Sequence, residues 1–150
     1  MTRFLLAAVA ITAPALAAQQ VALQSDVQVE RAQVVNGRQQ LVLQPPKSVV
    51  PDDRLVFRTQ YRNGGAQAAT RFVVTNPVPA AVAWTGEGSA GVEASIDGGR
   101  MFGALSALRV RNANGQFRPA TPADVTHLRW TVALIAPGTG GQLLYRGVVR

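Results

Sequence analysis

Apolar and polar residues alternate most regularly in the middle of the chain, over residues 54–62. Alternation with a period of two predicts a β-strand that has one buried face and one exposed face. The predicted inward residues are Leu55, Phe57, Thr59 and Tyr61. The predicted outward residues are Arg54, Val56, Arg58, Gln60 and Arg62.

Turn-forming residues bound this strand and the next one. Residues 51–53 (Pro-Asp-Asp) precede it, and residues 63–65 (Asn-Gly-Gly) follow it, where they tolerate a positive φ. Residues 71–76 resume the alternation with Phe72 and Val74 inward. The following Pro-Val-Pro ends that strand, because proline cannot donate a backbone hydrogen bond to a sheet.

Short alternating segments separated by turns fill the rest of the chain. Hairpin signals occur at 36–37 (Asn-Gly), 97–98 (Asp-Gly) and 114–115 (Asn-Gly), and the first places Leu41 and Leu43 inward on its return strand. Two longer strands flank a Gly-rich turn at residues 137–141, with inward residues Leu128, Trp130, Val132, Leu134, Leu143, Tyr145 and Val149. No segment after the first seventeen residues keeps an apolar period of 3.6. The pattern predicts an all-β antiparallel sandwich.

Several of these motifs together resemble a known family. Residues 50–65 follow Val-Pro-Asp-Asp-x-Leu-x-Phe-x-x-x-Tyr-x-Asn-x-Gly, and residues 69–79 follow Ala-x-x-Phe-Val-Val-Thr-Asn-Pro-x-Pro. With Ser-Ile-Asp-Gly-Gly at 95–99 and Leu-x-Trp at 128–130, they resemble domain of unknown function 11 over most of residues 26–150. That family consists of repeat modules in exported bacterial surface proteins. The resemblance implies an immunoglobulin-like sandwich and export, and it implies no catalytic residues.

The first seventeen residues have the features of a signal peptide. Arg3 supplies a positive start, an uncharged apolar run follows, and Ala15 and Ala17 are the small residues that a signal peptidase recognises. We therefore expect a signal peptide over residues 1–17, a flexible tail over 18–25 and one sandwich domain over 26–150. The apolar run is too short to span a membrane. The protein is expected to be exported, and the sequence leaves the periplasm and the cell surface open as destinations. Without cysteine, the exported domain depends on its core for stability.

The charge balance is basic, with fifteen lysines and arginines against eight acidic residues and a net charge of +7. Such a surface favours polyanions in general, but the charges are scattered and form no run of one sign. The candidate interaction surface comprises the outward Arg58, Arg62, Arg129 and Arg146 together with Trp84, the one aromatic residue expected to be exposed. Trp84 is the candidate platform for a sugar.

Motifs for catalysis are incomplete. Residues 86–91 match the dinucleotide pattern Gly-x-Gly-x-x-Gly, but a strand-like segment follows them where a nucleotide site needs a helix. Ser89 would need a base, and His127 is the one histidine and has no orienting partner in the pattern. Asp52 and Asp53 are too few for a cation site. We expect no catalytic residue, no cofactor and no metal.

These observations favour a non-enzymatic module that acts by surface contact with another envelope or surface protein. The alternative is a small module that binds an envelope carbohydrate or another polyanion; nucleic acid is not expected as a partner. An enzyme is the third possibility and lacks an assembled set of catalytic groups. Backbone pairing at a sheet edge is the expected mode of contact, with candidate edges at residues 27–31 and 143–149. The tail over 18–25 is expected either to donate a strand or to stay disordered.

Overall fold

The structure is a computed structural model that describes residues 20–150. The predicted signal peptide over residues 1–17 lies outside the described residues. The described chain contains two short 3₁₀ turns, Leu105–Ala107 and Pro122–Asp124. Its strands are β1 (Val21–Val35), β2 (Arg38–Gln44), β3 (Arg54–Asn63), β4 (Ala69–Pro77), β5 (Val82–Gly88), β6 (Glu93–Ser95), β7 (Arg109–Arg111), β8 (Phe117–Pro119), β9 (His127–Ile135) and β10 (Gly140–Val149).

All strand pairs are antiparallel, and the strands form two main sheets. The larger sheet has five strands in the order β2-β1-β3-β10-β5, and the smaller has three in the order β4-β9-β6. A separate ribbon pairs β7 with β8. The prediction of an all-β antiparallel sandwich is confirmed.

The core lies between the two main sheets. Tyr145 of β10 stacks on Phe57 of β3 at 4.5 Å between ring centroids, and Trp130 of β9 lies 6.5 Å from Tyr145 on the facing sheet. Trp130 and Tyr145 are almost completely buried. Burial of apolar area of this kind, at about 25 cal/mol per Å², holds the two sheets together.

The central alternation of β3 is confirmed. Leu55 and Thr59 are buried, and Phe57 and Tyr61 are half-buried. Val56 is also buried although it lies on the outer face, between Gln28 and Arg146 in the register of the neighbouring strands.

Two of the turns are stabilised in different ways, one by backbone conformation and the other by a side chain. Asn36 and Gly37 have φ values of 51° and 73°, as the hairpin signal predicted. The turn after β3 differs, because residues 63–65 do not adopt positive φ. Instead, the buried Asn63 side chain donates to the carbonyls of Gln67 (2.8 Å) and Ile135 (2.9 Å) and accepts from Gly65 N–H (2.9 Å). A side-chain amide therefore fixes this turn.

Three of the predicted inward residues are exposed, so these predictions are wrong. Leu134 is 60% exposed, while the next residue, Ile135, is buried. The partner strand β4 explains why the buried position moves from Leu134 to Ile135. Arg71 lies between the register pairs Thr70–Leu134 and Phe72–Val132 and has a φ of 50°, which interrupts the alternation on both strands. Leu41 and Leu43 are also exposed, because the register places them opposite Ala32 and Glu30, whose side chains lie on the outer face of the five-stranded sheet.

The first strand begins earlier than expected. Residues 21–25, which the sequence analysis assigned to a tail, are the first part of β1 and pair with β3 from Asn63 to Thr59. The sandwich therefore starts at Val21 and not at Asp26.

Candidate functional site: the open edge of β1

The first half of β1 has a neighbour on one side only. On one side β3 pairs with residues 21–30, and on the other side β2 pairs only with residues 29–35. Residues 21–28 therefore present a side that no strand of the described chain covers. We call this side the β1 edge.

The hydrogen-bond pattern shows which backbone groups face the β1 edge. Gly64 N–H donates to the Gln20 carbonyl at 2.9 Å, so the 20–64 pair is a hydrogen-bonded pair of the β1–β3 ladder. Such pairs alternate along an antiparallel ladder. Even-numbered residues of β1 therefore bond to β3, and odd-numbered residues turn their N–H and C=O groups away. At the β1 edge the residues that turn away are Val21, Leu23, Ser25 and Val27.

Side chains at the β1 edge are held in place from within the sandwich. The Ser25 hydroxyl lies 2.9 Å from the hydroxyl of the buried Thr59, which also accepts from the Asn76 amide at 2.9 Å. Val27 packs against the core, and Leu23 remains 50% exposed. The edge is therefore an ordered part of the sheet.

The β1 edge carries no free charge. Asp26 is the one charged residue within residues 21–28, and Arg58 donates two hydrogen bonds to its carboxylate, at 3.0 and 2.9 Å. Hydrogen bonding from Arg58 lowers the pKa of Asp26, so this carboxylate stays ionised and paired near neutral pH.

Features that block strand addition are missing from this edge. Natural edges are commonly protected by proline, lysine, bulges or strong twist. Residues 21–28 contain neither proline nor lysine, and their register with β3 is continuous. On the side away from the β1 edge the sheet continues through β3 and β10, so these residues belong to a multi-stranded sheet.

Other open edges of the described strands are irregular, very short or part of a two-stranded ribbon; β6, β7 and β8 have three residues each. The strand β4 contains Arg71 at a positive φ, and β5 has a register shift against β10. Most of β2 belongs to a two-stranded ribbon, and such ribbons twist more strongly than sheets.

The predicted edges need correction. Residues 143–149 are not an edge, because β10 lies between β3 and β5. Within residues 27–31 only Val27 and Gln28 are open, because β2 covers the rest. The sequence does alternate over residues 21–28, with Val21, Leu23, Ser25 and Val27 on one side, so this signal for an earlier start of the strand was present and was missed.

A concavity of about 820 Å³, open to solvent, adjoins the β1 edge. Segments of β1, β3 and β10 line it, around Leu23, Tyr61 and Gly141. The Tyr61 ring lies over Gly141, where a Cβ atom would collide with the phenol. Arg62 is the one charged residue of the lining, which otherwise consists of apolar, amide, phenol and glycine groups.

The four candidate arginines do not form one surface. Arg58, Arg62 and Arg146 lie on the outer face of the five-stranded sheet, whereas Arg129 lies on β9 of the other sheet. Three of the four are ion-paired: Arg58 with Asp26 (2.9 Å), Arg129 with Glu93 (2.9 Å) and Arg146 with Glu30 (3.1 Å). Their charges are largely neutralised within the chain.

Trp84 is not the exposed aromatic residue that the sequence analysis expected. It is 5% exposed, and its indole N–H donates to the Glu87 carbonyl at 2.9 Å. Its register partner on β10 is Gly147, the smallest residue, which accords with the inward position of the indole. A sugar therefore cannot stack on Trp84.

The residues of the incomplete catalytic motifs have structural contacts. The Ser89 hydroxyl accepts from Leu144 N–H at 2.9 Å, and the His127 ring lies 3.2 Å from the Thr126 hydroxyl. Asp53 binds the Arg31 guanidinium and accepts from Val50 N–H, which is the first cause of its lowered pKa. Over residues 20–150 the structure shows no cluster of three or more His, Cys, Asp or Glu that could hold a metal.

The geometry of residues 20–150 defines an antiparallel sandwich with a long, uncovered strand edge that carries no unpaired charge. Comparison with known proteins adds no identity, since no family model, curated protein or solved structure matches the chain. No helix within residues 20–150 is long and apolar enough to cross a membrane.

Proposed function

We propose that the protein is an exported, non-enzymatic module of the bacterial envelope or cell surface that binds a protein by strand addition. The partner supplies a β-strand to the β1 edge. The observation that carries this proposal is the run of outward N–H and C=O groups at Val21, Leu23, Ser25 and Val27. Strand addition uses main-chain hydrogen bonds for affinity and neighbouring pockets for specificity.

Export and membership in an immunoglobulin-like envelope family are also proposals. They rest on the signal-peptide pattern of residues 1–17 and on the resemblance of residues 50–79 to domain of unknown function 11. The absence of free charge at the β1 edge supports a protein partner over an anionic glycan, because strand pairing needs backbone groups and a polyanion needs cations.

Site-specific photo-crosslinking in the envelope tests this function. A photoreactive residue at Leu23, which is 50% exposed at the β1 edge, should give protein adducts. The same residue at Met101, which is 70% exposed away from that edge, is the matched control and should not. Adducts at Leu23 should still form when photolysis is carried out in about half-molar salt, because salt screens exposed charges and affects backbone pairing little.

The alternative function predicts a different result. Binding of an anionic carbohydrate would disappear at high salt and would not depend on the β1 edge. Adducts that form equally at both positions, or only at low salt, would contradict strand addition and favour the polyanion.

A further inference from the structure

We infer that the strand added at the β1 edge comes from a second copy of the chain. The two copies pair antiparallel over residues 21–27, about a twofold axis that passes midway between the Gln24 residues of the two copies. This inference rests on the proposed strand addition and supplies its occupant.

The backbone pattern selects this register. Because only odd-numbered residues face outward, hydrogen-bonded pairs across the twofold axis must join odd with odd. An axis at Gln24 pairs Val21 with Val27 of the second copy, and Leu23 with Ser25, each pair occurring twice. Four residues per copy offer four N–H and four C=O groups, so two copies can form eight hydrogen bonds.

Neighbouring registers satisfy fewer groups. An axis at Ser25 would place Val21 opposite Val29, whose outward groups already face Gln44 of β2. An axis at Leu23 would place Val27 opposite residue 19, before the start of β1. Only the axis at Gln24 uses all four outward residues of the β1 edge.

The side chains are compatible with self-pairing in this register. On the outer face, Asp26 lies opposite Ala22, and Gln24 lies opposite Gln24, so no two like charges face each other. On the inner face, Val21 meets Val27, and Leu23 meets Ser25. The half-exposed Leu23 side chain gains a neighbour across the new strand pair.

Symmetry favours a second copy over an unrelated strand. A twofold interface requires a segment that complements itself, and closed twofold dimers are the commonest protein oligomers. Residues 21–27 meet that requirement without a proline, an unpaired charge or a bulge. The product is one continuous ten-stranded sheet that joins two five-stranded sheets.

Cysteine crosslinking tests the register, and the chain offers an unusually close control. Gln24, Gln60 and Gln142 are register partners on β1, β3 and β10, and all three are exposed. Across the proposed axis the two Gln24 Cα atoms lie about 4.5 Å apart, as in a non-hydrogen-bonded pair. The two Gln60 Cα atoms lie about three strand spacings apart, roughly 14 Å, beyond the reach of a disulfide.

The exported protein, which has no native cysteine, is therefore prepared with Gln24→Cys, Gln60→Cys or Gln142→Cys and oxidised mildly. Gln24→Cys should form a disulfide-linked dimer on a non-reducing gel, and the other two should stay mostly monomeric. Equal crosslinking of the three variants would overturn the proposed pairing.

Sedimentation of the unmodified protein tests whether the dimer forms without a crosslink. Leu23→Pro removes an N–H that faces outward from each copy and leaves the hydrogen bonds to β3 intact. It should therefore weaken dimerisation by about tenfold or more, while circular dichroism stays unchanged. If this variant fails to fold, Leu23→Lys places a charge at the same edge.

The outcomes separate the inference from the proposed function. A protein that stays monomeric at the highest concentration at which it can be sedimented, yet still gives adducts with another protein at Leu23, refutes the dimer and leaves strand addition standing. Adducts at Leu23 that form only within a single chain would refute both.

Discussion

Replacement of Trp130 by alanine tests the packing between the sheets. Trp130 is 2% exposed, lies 6.5 Å from Tyr145 across the core, and donates its indole N–H to the Ser89 carbonyl at 3.1 Å. Loss of a buried aromatic side chain costs about 3–5 kcal/mol. The Ser89 carbonyl, which loses its hydrogen-bond donor, adds about 1 kcal/mol to this cost unless water reaches it. We expect the free energy of unfolding to fall by about 4–6 kcal/mol.

The neighbouring Arg129→Ala change is the internal comparison. The Arg129 guanidinium pairs with Glu93 at 2.9 Å and lies 4.2 Å from the ring centroid of Phe102. An exposed ion pair is worth about 0.2–1 kcal/mol, and an exposed cation–π contact about 0.5–1 kcal/mol. The expected loss is therefore about 1–2 kcal/mol, more than the alternation alone would suggest for an outward residue.

Urea unfolding followed by far-ultraviolet circular dichroism measures both losses, since this signal does not depend on the tryptophan that is removed. Thr131→Ala, an exposed change in the same strand, should cost less than about 0.5 kcal/mol. Equal losses for Trp130→Ala and Arg129→Ala, or a larger loss for Arg129→Ala, would refute the assignment of the two faces of β9.

Two further predictions concern acid stability and processing. Hydrogen bonds from Arg118, and then from Thr121, lower the pKa of Asp124, so its contribution is present above about pH 4, the usual unfolded value, and is lost as the pH falls below it. Asp124→Asn should therefore lower the urea midpoint at pH 7 and flatten its decline between pH 5 and pH 3; an unchanged decline would contradict this role. Signal cleavage is expected after Ala17, so the exported protein should have the mass of residues 18–150, and a protein that still begins at Met1 would contradict the export argument.

Local signals in the sequence predicted the strands well. The alternation of β3 and the Asn36-Gly37 hairpin depend on contacts between near neighbours, which a single sequence displays. Trp84 shows the limit of this approach. It lies two residues after the buried Val82, so the alternation was compatible with a buried Trp84. Its neighbour in the sheet is Gly147 of β10, which lies far away in sequence, so the pattern of a single strand could not identify this pairing.

The order of strands in the sheets could not be predicted from the pattern of apolar and polar residues. Alternation gives the buried face of a strand and does not identify the strand beside it. The last strand, β10, therefore looked like an edge, although it lies between β3 and β5. The β1 edge was hidden for the same reason, because it exists only where β2 stops at the level of Val29.

Ion pairs on the outer face show how strand order also determines the response to salt. Asp26 and Arg58, like Glu30 and Arg54, are register partners on β1 and β3, so sheet formation neutralises charges that the sequence shows only as a scattered basic excess. The β1 edge itself carries no unpaired charge, while the chain as a whole has a net charge of +7, or +6 once Arg3 leaves with the signal peptide. Two copies that approach in low salt therefore repel each other over a screening length of about 30 Å, which shrinks to about 8 Å at physiological ionic strength. Dimerisation through the β1 edge should consequently tighten as salt rises over that range. Binding of a polyanion would weaken over the same range, so the sign of the salt dependence distinguishes a protein edge from a basic surface.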